Sequence, residues 1–273
     1  MSSRFTRLGL RALTKRYRFQ APDPTPKRRG SSRKLPAPAD RSVYPPDFSP
    51  DEIGIIEQVE FATMTSPERI VALIRAVQYL VENGIAGDFV ECGVWRGGSM
   101  MAVARTLQRA GELRPLHLFD TFDGMPPPQA VDRNLRGQLA EKLLSQQDRS
   151  TSYVWALAQI DEVRKNMAAT GYPTDQIHYV QGRIEATIPE AAPGQIALLR
   201  LDTDWYESTR HELEHLYPRL TAGGVLIVDD YGHWEGCRRA VDEYFGQMRP
   251  APHLCRIDYT GRLAIKPANL RAA

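Results

Sequence analysis

A chain of 273 residues, 42 % hydrophobic and 25 % charged, has enough apolar material for one good-sized α/β domain or two small ones. No run approaches the roughly 18 apolar residues of a membrane span, and the first residues lack the apolar core of a secretory signal. The three cysteines, Cys92, Cys237 and Cys255, form no CxxC or Cys/His cluster. They argue against a disulfide framework or structural zinc and fit a reducing, cytoplasmic setting.

The net charge of +2 is unevenly spread: residues 1–50 hold nine Arg, three Lys and three Asp, net +9, which leaves −7 for the rest. Residues 1–19 read as a short amphipathic helix with Arg4, Arg7, Arg11, Lys15 and Arg18 on one stripe and Phe5, Leu8, Ala12, Leu13 and Tyr17 on the other. Such an arm suits weak membrane-surface contact, organelle targeting or a partner, or is a mobile basic tail. Residues 20–50 carry eight of the 20 prolines and read as an extended linker. The body therefore spans 51–273.

Ser66-Pro67-Glu68 starts a helix whose stripe is Ile70, Leu73, Ile74, Val77 and Leu80 and which ends at Gly84. Strands are predicted at 88–92, 116–120, 177–181, 196–201, 225–229, 254–258 and 262–266. Helices are predicted at 98–110, 150–170, 206–217 and 235–248. This alternation makes an α/β fold, a doubly wound, mostly parallel sheet with helices on both faces. Only Tyr259-Thr260-Gly261 separates the last two strands, so these form a hairpin at the sheet edge. Ligands of such sheets bind at the carboxyl ends of the strands.

The run Phe89-Val90-Glu91-Cys92-Gly93-Val94-Trp95-Arg96-Gly97-Gly98-Ser99 closes the first strand and opens a helix. Gly93 and Gly97 permit a tight turn and close approach of a ligand, and the helix presents free N–H groups. The dinucleotide spacing GxGxxG is absent, which disfavours a nicotinamide oxidoreductase. In S-adenosylmethionine enzymes of this architecture an acid at the place of Glu91 can meet the ligand's amino-acid ammonium, directly or through water. Asp120 ends the second strand, where a carboxylate can accept both ribose hydroxyls. An ordinary strand–helix turn explains the glycines alone, but Glu91, the glycine turn and Asp120 together are far more specific.

Two apolar strands end in acids, Leu201-Asp202-Thr203-Asp204 and Val228-Asp229-Asp230. Four crowded carboxylates raise one another's pKa, and a cation resolves the repulsion. With no His or Cys pair at metal spacing, all-oxygen ligation suits Mg²⁺, Ca²⁺ or Mn²⁺. Alternatively the acids cap the helices that follow. Asp229 and Asp230 can share one ion only if the strand has ended between them.

These residues resemble the macrocin-type (TylF-like) O-methyltransferases, a family of metal-dependent enzymes. The resemblance runs from about Pro67 to Ile265. It rests on VECGVWRGGS at 90–99, FDTFDGMP at 119–126, LLRLDTDWYEST at 198–209 and GGVLIVDDYGHWEGCRRAVDEYF at 223–245. It implies a class I methyltransferase fold, a seven-stranded sheet with an antiparallel last strand and a helical lid over about 121–165. It also implies S-adenosylmethionine and usually Mg²⁺ as cofactors. By that resemblance Asp202, Asp229 and Asp230 are the metal carboxylates, and Asp204 aligns with an acid considered as general base. His233 is the runner-up base, since an unperturbed imidazole titrates near neutral pH. Glu91, Gly93, Val94, Gly97, Ser99, Asp120, Phe122 and Ile184 make the cofactor site. Ile184 and Ala186 depart from the aromatic residue and acid–Thr pair usual at their positions. The implied acceptor is a small-molecule glycoside or polyol, and a homo-oligomer is the family-level expectation.

On this reading Trp95, Trp205, Tyr206 and Trp234 are either acceptor-pocket walls or core. The competing readings are a metal-independent methyltransferase and a catalytically silent S-adenosylmethionine-binding protein. Nucleic-acid binding is not expected, because the body is acidic and lacks a basic–aromatic patch.

Overall fold

The computed structural model describes residues 44–268; the predicted cationic helix and most of the linker lie outside these residues. Helix α1 (Pro50–Val59) opens the body, an element not among those expected from the sequence. Its signal is local: the Ser49 side chain accepts from the Glu52 N–H, and the Glu52 side chain accepts from the Ser49 N–H. Helix α2 (Pro67–Glu82) starts at the expected Ser66 cap, whose hydroxyl accepts from the Arg69 N–H.

Seven strands follow: β1 (Asp88–Cys92), β2 (Leu116–Asp120), β3 (Ile177–Gln181), β4 (Ile196–Leu201), β5 (Leu220–Val228), β6 (Cys255–Arg256) and β7 (Arg262–Ile265). The sheet order is β3-β2-β1-β4-β5-β7-β6. The first five strands pair in parallel, β7 runs antiparallel to β5, and β6 closes the predicted edge hairpin. This is the class I methyltransferase arrangement. Strand order reverses between β1 and β4, where a doubly wound sheet opens its crevice.

The remaining helices are α3 (Gly98–Ala110), α4 (Ala140–Ser145), α5 (Ile160–Ala168), the short α6 (Ile184–Thr187), α7 (Tyr206–Leu216) and α8 (Glu235–Gly246). Side-chain alternation along the strands divides the core in two. Phe89, Leu116, Leu118, Leu198, Val225 and Ile227 face α1, α2, α3 and α5. Val90, Cys92, Phe119, Leu199, Leu201, Leu226 and Val228 face α4, α7 and α8.

Two predicted elements are corrected. The helix over 150–170 is a 3₁₀ turn at Tyr153–Trp155 followed by α5, because Ala156 takes a left-handed conformation (φ 45°) that ends the turn. Strand β5 begins five residues before the predicted 225, pairing Leu220 with Ile196 before a register shift. The expected lid region is thus mostly irregular, pinned by Asp132. That carboxylate accepts from the Gln129 and Tyr206 N–H groups.

Candidate active site

A cleft of about 380 Å³ opens at the carboxyl ends of β1, β2, β4 and β5. Its size and mixed lining suit a small-molecule site. Of the expected cofactor residues, Gly93, Val94, Ser99, Asp120 and Ile184 line it. Gly93 has φ 83°, and a Cβ there would collide with the Asp202 carbonyl oxygen. Its lack of a side chain therefore lets the β1 loop lie directly on the end of β4. Ser99 sits in the first turn of α3 and lines the cleft together with Gly98.

Asp120 holds this loop in place. Its Oδ2 accepts from the N–H groups of Val94 (2.6 Å) and Trp95 (3.0 Å), and its Oδ1 accepts from the Phe122 N–H (2.7 Å). Burial raises its pKa against the pull of those donors.

Glu91, Gly97 and Phe122 are not among the lining residues. Gly97 is the N-cap of α3, and Phe122 is buried and reaches the site through its backbone. Glu91 is buried and stands opposite Arg200 in the β1–β4 register. Its Oε1 accepts from Arg200 at 2.6 Å, while Oε2 has no partner. Burial lifts its pKa to about 8, with the Arg200 guanidinium opposing.

Where β4 and β5 end, oxygens of Asp202, Asp204 and Asp230 all lie within 4.8 Å of one another. Strand β5 ends at Val228, so Asp229 and Asp230 both lie beyond it and are free to diverge. Asp230 joins the cluster. Asp229 turns to the α2 side, where its Oδ1 accepts from Arg200 Nη2 (2.6 Å) and its Oδ2 from Arg69. Asp229 therefore lies beside the three-acid cluster rather than in it.

Burial raises the pKa of Asp230, and the facing charges of Asp204 and Asp202 add to the effect. Asp204 is raised by the same burial and by Asp202 and Asp132. Asp230 Oδ2 is buried without a hydrogen-bond partner. The helix-capping alternative does not hold. The side chains of Asp202, Asp204 and Asp230 cap neither helix, and Asp132 serves the first N–H of α7 instead. A crowded carboxylate set with a bare oxygen matches the chemistry of a hard cation.

His233 and Trp234 line the cleft, as do Trp95, Tyr153 and Tyr259. His233 Nδ1 lies 3.2 Å from the Tyr259 hydroxyl, and burial lowers its pKa, so the ring is neutral near pH 7. The four expected aromatics divide. Trp95 and Trp234 are walls. Trp205 is core, its indole N–H donating to the Pro126 carbonyl. Tyr206 points its hydroxyl to Glu243 on the surface.

Sequence reasoning gave no role to Arg200, Arg69 or Asp132. Arg200 is fully buried and also donates to Asp202 Oδ2 (2.7 Å) and Thr65 Oγ1 (3.0 Å). A lone arginine in the apolar run Ile196–Leu201 was the available signal, because a buried guanidinium needs several acceptors.

The model for the family "Macrocin-O-methyltransferase (TylF)" matches residues 58–264. One relative is the 8-demethyl-8-(2,3-dimethoxy-alpha-L-rhamnosyl)-tetracenomycin-C 4'-O-methyltransferase of Streptomyces olivaceus. It is 35 % identical over 232 residues, covering 82 % of this chain and 84 % of that one. The demethyldecarbamoylnovobiocin O-methyltransferase of Streptomyces niveus is 34 % identical over 201 residues, with 73 % of each chain covered. Among solved structures, the O-methyltransferase NovP superposes with a TM-score of 0.64 at 33 % identity, covering 76 % of this chain and 83 % of that one. The calicheamicin methyltransferase CalS11, at 18 % identity and a TM-score of 0.55, covers 85 % of this chain and 99 % of that one and shares the fold.

Proposed function

We propose that this chain, which belongs to the macrocin O-methyltransferase (TylF) family and is an S-adenosylmethionine-dependent O-methyltransferase, methylates a sugar hydroxyl of a glycosylated natural product, with a hard divalent cation ordering the acceptor. The observation that carries the cation is the convergence of Asp202, Asp204 and Asp230 around a buried oxygen that has no partner. The glycoside acceptor is suggested by the relatives, which are named for a rhamnosyl tetracenomycin, demethyldecarbamoylnovobiocin and mycinamicin III.

The residues divide the work. The loop at Gly93–Ser99, Asp120 and Ile184 bind the cofactor, which supplies an electrophilic methyl group on its sulfonium. Asp202 and Asp230 would hold the cation, which when bound would lower the pKa of an acceptor hydroxyl. Asp229, the third carboxylate implied by the family resemblance, is braced from behind by Arg69 and Arg200. Asp204 takes the hydroxyl proton on a carboxylate oxygen as the C–O bond forms and the S–CH₃ bond breaks. Its raised proton affinity suits that task, because a base works best when its pKa lies near the operating pH. His233, neutral and held on Tyr259, is placed to accept a hydrogen bond from the acceptor. Trp95, Tyr153 and Trp234 exclude water around the reacting atoms.

The test is a panel of glycosides and their free aglycones, incubated with methyl-labelled cofactor and Mg²⁺ and read by mass spectrometry. One added methyl on the sugar, absent from the free aglycone, is expected. Methylation confined to an aglycone hydroxyl would overturn the acceptor assignment.

A further inference from the structure

The edge hairpin between β6 and β7 is fastened to the acidic site at several points. Asp258 Oδ1 accepts from the N–H groups of Thr260 (2.9 Å) and Gly261 (2.7 Å), which shapes the turn. Its Oδ2 accepts from the Ser66 hydroxyl (2.9 Å) and lies 3.1 Å from Arg69 Nε. That N–H is not aligned as a hydrogen bond, so the Arg69 contact is one of charge. Arg69 in turn reaches Asp229. Thr260 adds a second fastening, its hydroxyl donating to the Asp229 carbonyl at 2.7 Å. The Gly232 N–H donates to the Thr260 carbonyl at 2.9 Å, and a Cβ on Gly232 would collide with the Tyr259 carbonyl oxygen.

The side chains of Arg69 and Asp258 are 11 % and 13 % exposed, so solvent screens their attraction weakly. Arg69 lines the cleft beside the acid cluster. Its positive charge there repels a cation to the extent that acids leave it unbalanced; Asp229 meets it on the site side and Asp258 on its far side.

We propose that Asp258 is a positioning residue for the acidic site: it balances the charge of Arg69 and holds it in place, so that Arg69 repels a cation less and Asp229 keeps its orientation. The inference rests on the reading that Asp202 and Asp230 hold that cation. Asp258→Asn isolates the effect, because the remaining oxygen can still accept from Thr260 and Gly261 and keep the turn.

The test uses the full chain with Mn²⁺ as probe, followed by paramagnetic resonance, alongside calorimetric binding of S-adenosylhomocysteine and thermal unfolding. Asp258→Asn is expected to weaken Mn²⁺ binding roughly tenfold, with cofactor-product affinity and the unfolding midpoint little changed. Asp258→Glu should restore most of the Mn²⁺ affinity. On an Arg69→Gln background the Asp258→Asn change should have little further effect, since the two act as one unit. Unaltered Mn²⁺ binding in Asp258→Asn, or an equal loss of all three properties, would overturn the proposal. Absence of Mn²⁺ binding in the unaltered protein would instead sink the cation reading beneath it.

Discussion

Asp204 occupies a left-handed backbone position at φ 67°, a conformation rare outside glycine and enriched at functional sites. The turn that imposes it lets Asp204 leave the line of β4 and meet Asp230 from the neighbouring strand end. The convergence of Asp202 and Asp230 was legible because both acids directly follow long apolar runs that end at the same edge of the sheet. Arg200 was not legible, because its meaning depends on which strand lies beside β4. Only the pairing Glu91↔Arg200 reveals that a buried cation ties β1 to the acid strands. The same pairing engages one Glu91 oxygen with Arg200 and leaves the other without a partner.

A second buried acid, Glu212 on α7, has a different fate. It accepts from the Thr203 hydroxyl through Oε1 while Oε2 is unpartnered, and burial raises its pKa well above 4.5. A carboxyl that binds its proton more tightly when folded contributes stability that is fully present below pH about 4.5. That stability is lost as pH rises toward the folded value, because the unfolded state gives up its proton first. Glu212→Gln keeps the acceptor for Thr203 and removes the titration. Thermal unfolding should therefore show the variant and the unaltered protein alike at pH about 4, with the variant more stable above pH about 7. Equal melting at both pH values would refute this.

Among elements, strands β1 to β4 were read at their observed bounds because each is a short apolar run closed by a glycine or an acid. The misread elements have local causes. Residues 150–159 carry a helix-like apolar pattern, but the Ser152 hydroxyl caps a 3₁₀ turn and Trp155 donates its indole N–H to the Leu144 carbonyl. That tertiary anchor outweighs helix propensity. At β5, Thr221-Ala222-Gly223-Gly224 reads as a turn, yet the strand runs through it because Leu220 pairs with Ile196.

The β1 loop provides the test at this scale. Gly93→Ala places a methyl against the Asp202 carbonyl in a backbone conformation that alanine resists. It is expected to cost about 1–3 kcal/mol of stability and to weaken S-adenosylhomocysteine binding sharply, since the cofactor loop and the end of β4 must separate. Calorimetry showing unaltered affinity would contradict the close-packed loop.

For the whole molecule, the doubly wound sheet was legible in the alternation and the edge hairpin in the three-residue gap at 259–261, while the seven-stranded sheet with an antiparallel last strand came from the family resemblance. The sheet brings together residues far apart in sequence: Arg69 and Thr65 from the entry to α2, Asp120 from β2, and the acids from β4 and β5. None of the helices among the described residues is long and apolar enough to cross a membrane. One side of the cleft, with the glycine loop and Asp120, suits the cofactor. The other side, with three convergent acids, His233 and Tyr259, suits a polyhydroxylated acceptor. A methyl transfer between the two sides requires that the acids be organised rather than mutually repelling, and this is the physical case for a cation.

The most direct test is a Mn²⁺ titration of the full chain, saturated with S-adenosylhomocysteine and followed by paramagnetic resonance. It should be run on the unaltered protein, Asp230→Asn and Asp204→Asn. One bound ion in the unaltered protein is expected, lost in Asp230→Asn and retained in Asp204→Asn, while both variants lose turnover with any acceptor found by the glycoside panel. No binding in the unaltered protein, or equal binding in Asp230→Asn, would contradict a cation held by these acids.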